Sequence, residues 1–184
     1  TPDPVYYLAQ GVTQHLAFRV EGLPGRKLDQ WESFLAVPSG FEVLGSTGFY
    51  GVRPGIPRWT TTDLGEQTVL GKRMRVAKIT ADQPILTGRH YIMSEFQAFV
   101  RVTGAKVPAD AQFVYWSRAR GGSVLEAPQT IKVRVLPQVQ GAQCKTLTWQ
   151  LWGGWFSNMD DLAMREQVMD CARVAGFNDF VGGD

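Results

Sequence analysis

The sequence predicts a mainly β fold, an antiparallel β-sandwich followed by a single βαβ unit, on three observations. Apolar and polar side chains alternate with period two from Thr13 to Leu136, and turn signals containing Gly and Pro recur throughout that stretch. From Lys145 the period changes to a strand, a tryptophan-rich loop, an apolar stripe at spacings of three and four, and a last short strand. A lone βαβ unit leaves its apolar faces uncovered. The expected organisation is therefore a β-sandwich domain over 1–137, a linker over 138–144, and an opening βαβ unit over 145–184. That unit reads as the start of a second α/β domain, such as a (β/α)8 barrel, that the chain truncates.

Each element has a local reason. Leu16, Phe18 and Val20 alternate with Ala17 and Arg19, the pattern of a strand with one wet face. Further strands are expected over Trp31–Val37, Phe41–Leu44, Phe49–Val52, Trp59–Thr62, Gln67–Leu70, Lys72–Thr80, Tyr91–Val102 and Gln112–Arg118. Tyr91–Val102 lacks clean alternation and is expected to be central, buried on both faces, with a bulge near Ser94–Gln97. Ile131, Val133 and Val135 alternate with Lys132 and Arg134 in a last sandwich strand. Pro38-Ser-Gly40, Arg53-Pro-Gly-Ile-Pro57, Gln83-Pro84 and Gly121-Gly122 reverse the chain, because Gly permits positive φ and Pro fixes φ. In the C-terminal part, Asn158 is placed to cap a helix, and Asp160 and Asp161 put negative charge at its positive end. Met164, Val168, Cys171, Ala172 and Ala175 form its apolar stripe, and Gly176 stands at the stop position.

Composition narrows the function classes. With 44% apolar and 20% charged residues the chain is of globular rather than disordered type. The net charge of +2 divides as +5 over 1–137, from 16 basic against 11 acidic residues, and −3 over 138–184, from 3 against 6. The longest basic cluster, Lys72-Arg73-Met74-Arg75, alternates as a half-buried strand does, so it reads as a solvated face and nucleic acid is not an expected partner. No apolar run has the roughly 18–20 residues of a membrane-spanning helix. The start Thr1-Pro-Asp-Pro4 carries no initiator Met, which suits a mature chain after export to an extracellular or periplasmic location as well as a clone boundary.

Two cysteines exclude a disulfide framework and lack metal-ligand spacing. Cys144 precedes the expected strand and Cys171 lies late in the expected helix, so the two sulfurs are candidates for a bridge closing a loop of about 27 residues, worth roughly 3–4 kcal/mol by chain entropy. Two small buried thiols satisfy the same sequence.

No nucleotide, zinc or nucleophile-elbow motif occurs, and the two histidines, His15 and His90, lie far apart. No metal, cofactor or catalytic residue is therefore expected from motifs. The conspicuous segment is Trp149-Gln-Leu-Trp-Gly-Gly-Trp-Phe156. After the carboxyl end of a parallel strand, this loop would put Trp152, Trp155 and Phe156 on a ligand-binding rim, where aromatic rings stack on sugar faces. Asp184 follows the last strand in the equivalent place and could bind sugar hydroxyls. Packing of the tryptophans inside the fold explains the same pattern without a ligand.

Asp170-Cys-Ala-Arg-Val-Ala-Gly-Phe-Asn178, a helix ending in Ala-Gly-Phe-Asn before a strand, resembles the opening of the (β/α)8 barrel in secreted multidomain glycoside hydrolases that begin with a β-sandwich. The resemblance covers residues 145–184. It implies an N-terminal portion of a carbohydrate-active enzyme, itself non-catalytic, contributing accessory or substrate-binding surface, with carbohydrate and the remainder of the same polypeptide as partners. The catalytic carboxylates of that family follow later strands, so none is carried over. The alternative is a self-contained, non-catalytic interaction module at the cell surface or in an assembly.

Overall fold

The computed structural model describes residues 5–11, 13–20, 27–28, 31–48, 57–86, 95–104, 107–119, 124–137, 148–151 and 179–182. These contain thirteen strands in chain order: β1 (Val5–Ala9), β2 (Thr13–Arg19), β3 (Lys27–Leu28), β4 (Trp31–Val37), β5 (Phe41–Gly48), β6 (Trp59–Val69), β7 (Lys72–Ala81), β8 (Ile85–Leu86), β9 (Glu95–Val102), β10 (Asp110–Ala119), β11 (Val124–Leu136), β12 (Thr148–Leu151) and β13 (Asp179–Gly182). A six-stranded sheet of order β1-β11-β10-β4-β7-β6 faces a three-stranded sheet of order β2-β9-β5, and β3-β8 and β12-β13 form two short pairs.

Two expectations are corrected. The principal sheet is mixed rather than antiparallel, because β1 pairs with β11 in parallel, Val5 opposite Lys132 and Ala9 opposite Leu136. The expected βαβ unit is not found: the described residues hold no helix, and those of the C-terminal portion form the parallel pair β12–β13, Trp149 opposite Phe180. A stripe at spacings of three and four reports amphipathicity, and it does not by itself establish an α/β layer. The helix expected after Asn158 and the linker over 138–144 lie outside the described residues.

Alternation in the strands builds the core. In β4, Trp31, Ser33, Leu35 and Val37 face the smaller sheet, and Glu32, Phe34 and Ala36 face the opposite way. All seven residues of β4 are buried, as befits a central strand. Between the sheets Leu35, Val37, Ile79, Phe113 and Val133 meet Leu16, Phe41, Phe96, Val100 and Val102. A second apolar cluster, Phe34, Ala36, Met74, Val76 and Val114, lies on the other face of the larger sheet. Of the region Ser94–Gln97 where a bulge is expected, Glu95–Gln97 pair regularly with β2 and Ser94 lies outside the described residues; β5 has its own register shift, between Val43 and Gly45 opposite β9.

The chain changes sheets at two corners. After β1, the Gln10 amide donates to Leu136 O at 3.1 Å in one sheet and the Gly11 amide to Val102 O at 3.3 Å in the other. After β4, Pro38-Ser-Gly40 turns the chain into β5, and Gly40 O accepts from the Thr103 amide at 2.8 Å and the Gly104 amide at 3.1 Å. Gly40 has φ +90°, and a Cβ there would stand 2.9 Å from Val107 Cγ1, so only glycine fits this corner. The β6–β7 hairpin closes through Leu70 and Gly71, at φ 48° and 75°, the positive values that a two-residue hairpin loop demands.

Candidate functional site

The smaller sheet covers only part of the larger, and where its edge strand β2 ends against β10 and β11 the two layers part to leave a cleft of about 350 Å³. Its floor is aromatic. Phe18 stacks on Tyr115 at 4.7 Å between ring centroids and on Phe96 at 5.1 Å; Phe96 in turn stacks on Trp59 at 4.6 Å. Inward-facing positions of four strands, β2, β10, β9 and β6, supply this row, and Tyr6 of β1, 38% exposed, stands at the mouth. Arg19, Glu126, Gln129 and Thr130 form the polar side of the cleft.

The polar groups are graded by burial. The Tyr115 hydroxyl and Ser33 Oγ lie 2.7 Å apart inside the core. Burial holds the Tyr115 phenol well above its ordinary value, with the Ser33 hydrogen bond opposing, so it serves as a neutral hydrogen-bonding group. Burial also raises the pKa of half-buried Glu126 above that of a free carboxylate, and Gln129 Nε2 donates to its Oε1. Because the folded state then holds the proton more tightly than the unfolded chain, Glu126 favours folding at low pH, and that contribution is lost as pH rises through its folded value. Replacing Glu126 by Gln is expected to remove this dependence. Urea unfolding from about pH 4 to about pH 7 should show the variant gaining on the parent as pH rises, and a gain toward low pH would contradict this account.

A single carboxylate lines the cleft among the described residues. Its aromatic floor and polar side can hold a ligand by stacking and hydrogen bonds. Among the described residues no three His, Cys, Asp or Glu side chains gather in reach of one metal ion.

The residues expected from sequence, Trp152, Trp155, Phe156 and Asp184, lie outside the described residues, as do Cys144, Cys171 and His90. His15 is exposed on β2. Sequence reasoning passed over Tyr6 and Glu126. The available signal was Val5-Tyr-Tyr-Leu8, two adjacent tyrosines in a short apolar run. Among the described residues no helix is long and apolar enough to cross a membrane.

No protein-family model matches the chain, and no curated protein matches it. A solved structure similar to it is that of AvmM, which catalyses macrocyclization in alchivemycin A biosynthesis. The TM-score is 0.41 with 9% sequence identity, over 75% of this chain and 87% of that one.

Proposed function

We propose that this chain is a non-catalytic, mainly β module that contributes a carbohydrate-binding surface to an exported carbohydrate-active enzyme of glycoside hydrolase type. The observation that carries this reading is the cleft between the sheets, where an aromatic floor and Tyr6 lie beside Glu126, Gln129 and Arg19. Sugar rings offer both an apolar face and a rim of hydroxyls, and such a cleft matches both.

Isothermal titration with a panel of neutral oligosaccharides tests it. Binding without release of reducing ends is the expected result. Tyr6→Ala should weaken binding by about 1–2 kcal/mol, roughly five- to thirtyfold, with an unchanged melting temperature, because truncating an aromatic anchor removes stacking that the fold does not need. Absence of binding across the panel at millimolar sugar would overturn the proposal.

A further inference from the structure

The two flanks of the six-stranded sheet are built differently. At one, β6 carries the bulge between Asp63 and Glu66, with Asp63 tied to Arg75 at 3.1 Å and Glu66 to Arg73 at 2.6 Å across the pair, so a further strand would meet charge and a broken ladder. At the other flank β1 has none of these guards. Val5-Tyr-Tyr-Leu-Ala9 contains no charge, proline or glycine, its register against β11 is unbroken, and among the described residues no strand pairs with its outer side. Three consecutive side chains reach solvent there: Val5 is 37%, Tyr6 38% and Tyr7 53% exposed.

The bonds already made identify the backbone groups on that outer side. The Gln10 amide donates to Leu136 O, so Tyr6 and Leu8 turn their peptide groups toward β11, and Val5, Tyr7 and Ala9 turn theirs outward. Gln14 of β2 answers two of the outward groups: its Nε2 donates to Tyr7 O at 3.3 Å, and its Oε1 accepts from the Ala9 amide. Those two groups straddle Leu8. One residue of a parallel neighbouring strand would bond the same pair, and a carboxamide carries the donor and the acceptor of a peptide, so Gln14 stands where a strand's backbone would. Its bond to Tyr7 is solvent-exposed, so water can replace it as the side chain leaves.

We infer that the outer edge of β1 is a strand-addition site, which takes an extended, uncharged peptide segment with apolar side chains at alternate positions in exchange for the Gln14 carboxamide. Val5, Tyr7 and Ala9 supply the backbone pairing, and the side chains of Val5 and Tyr7 give the added strand apolar neighbours on one face. A second copy of the chain fits this edge less well. Exposures of 38% and 53% on tyrosine side chains of roughly 200 Å² leave less than about 200 Å² of aromatic surface on each side. A stable interface buries about 800 Å² per partner, whereas a peptide strand draws its affinity from main-chain bonds. The site uses the backbone of β1, so it stands whether or not the cleft takes a sugar.

The probe is an end-blocked, fluorescein-labelled peptide of alternating threonine and valine, about eight residues long, titrated with the whole chain. Expected is saturable binding at micromolar concentration, with amide exchange at Tyr7 slowed at least tenfold and that at Leu8, which faces β11, unchanged. The same peptide N-methylated at alternate residues keeps every side chain but loses the donors, and should bind at least tenfold more weakly; replacing its valines by lysine should weaken it severalfold. Tyr7→Pro removes an outward N–H and leaves the β11 ladder intact, so it should abolish binding with little change in melting temperature. Gln14→Ala vacates the edge and should tighten binding severalfold, whereas a merely structural glutamine would not. Absence of binding, equal binding of the N-methylated peptide, or unchanged exchange at Tyr7 overturns strand addition; affinity that does not rise in Gln14→Ala overturns the exchange. A dimer in sedimentation equilibrium that Tyr7→Pro dissolves would give the edge to a second copy and overturn the peptide assignment.

Discussion

Replacing Phe96 by alanine is expected to destabilise the protein by about 3–5 kcal/mol, the range for deleting a buried phenyl ring. Phe96 is fully buried and sits at the crossing of the aromatic row, 4.6 Å from Trp59, 5.1 Å from Phe18 and 5.7 Å from Trp31 between ring centroids. Those neighbours come from three other strands, and rigid indoles do not collapse readily into a void, so the upper part of the range is expected. Against a total stability of roughly 5–15 kcal/mol this is a large share. Phe96→Leu keeps most of the volume and should cost about 1–2 kcal/mol. Urea midpoints at constant slope provide the measurement; a Phe96→Ala cost below that of Phe96→Leu would show that the two sheets do not pack through this ring.

Arg118→Ala is expected to cost about 2–3 kcal/mol, more than its exposure suggests. Its Nε donates to Glu32 Oε2 at 3.1 Å, and Lys78 Nζ lies 3.6 Å from the other carboxylate oxygen. The Glu32 side chain is only 6% accessible against 44% for Arg118, so removal of the arginine takes its 3.1 Å cationic partner from a buried carboxylate. The guanidinium also lies 4.7 Å from the centroid of the Phe34 ring, which is itself stacked on Trp116 at 5.1 Å. Breaking a buried ion pair costs about 3–5 kcal/mol in full; partial exposure of the arginine and the other groups that hold Glu32, Lys78 among them, reduce it. Combining Arg118→Ala with Glu32→Gln removes the buried charge and should recover more than half of the loss. A double variant no more stable than Arg118→Ala alone would show that the charge of Glu32 is not what makes the arginine necessary.

The parts of the fold that could be read from the sequence are those in which alternation and turn chemistry are local. β4 runs from Trp31 to Val37 as expected, and β7 begins at Lys72, because these strands are bounded by Pro38-Ser-Gly40 and Leu70-Gly71. β6 was expected as two strands broken at Asp63-Leu-Gly-Glu66; instead the strand continues through a bulge, with Gly65 at φ +73° and Asp63 tied to Arg75 across the pair. The bulge and its charges blunt an edge strand, a purpose that concerns the absence of a neighbour and so leaves no periodic trace. β1 could not be found by periodicity, since its partner lies at Lys132–Leu136 and the pairing is parallel. The cleft was illegible for a related reason: Tyr6, Phe18, Tyr115 and Glu126 stand on four strands, and no short window of sequence contains two of them. The unequal lengths of β4, β7 and β10 are likewise invisible to composition.

The parallel docking of β1 beside β11 has a temporal consequence. As the polypeptide emerges from the ribosome, Val5–Ala9 has no lateral partner until more than a hundred further residues have been made, while the hairpins β6–β7 and β10–β11 close within their own neighbourhoods. Of the six strands of this sheet the one made earliest is thus the last to be seated, and until then the flank of β11 is an open template for a stranger's backbone.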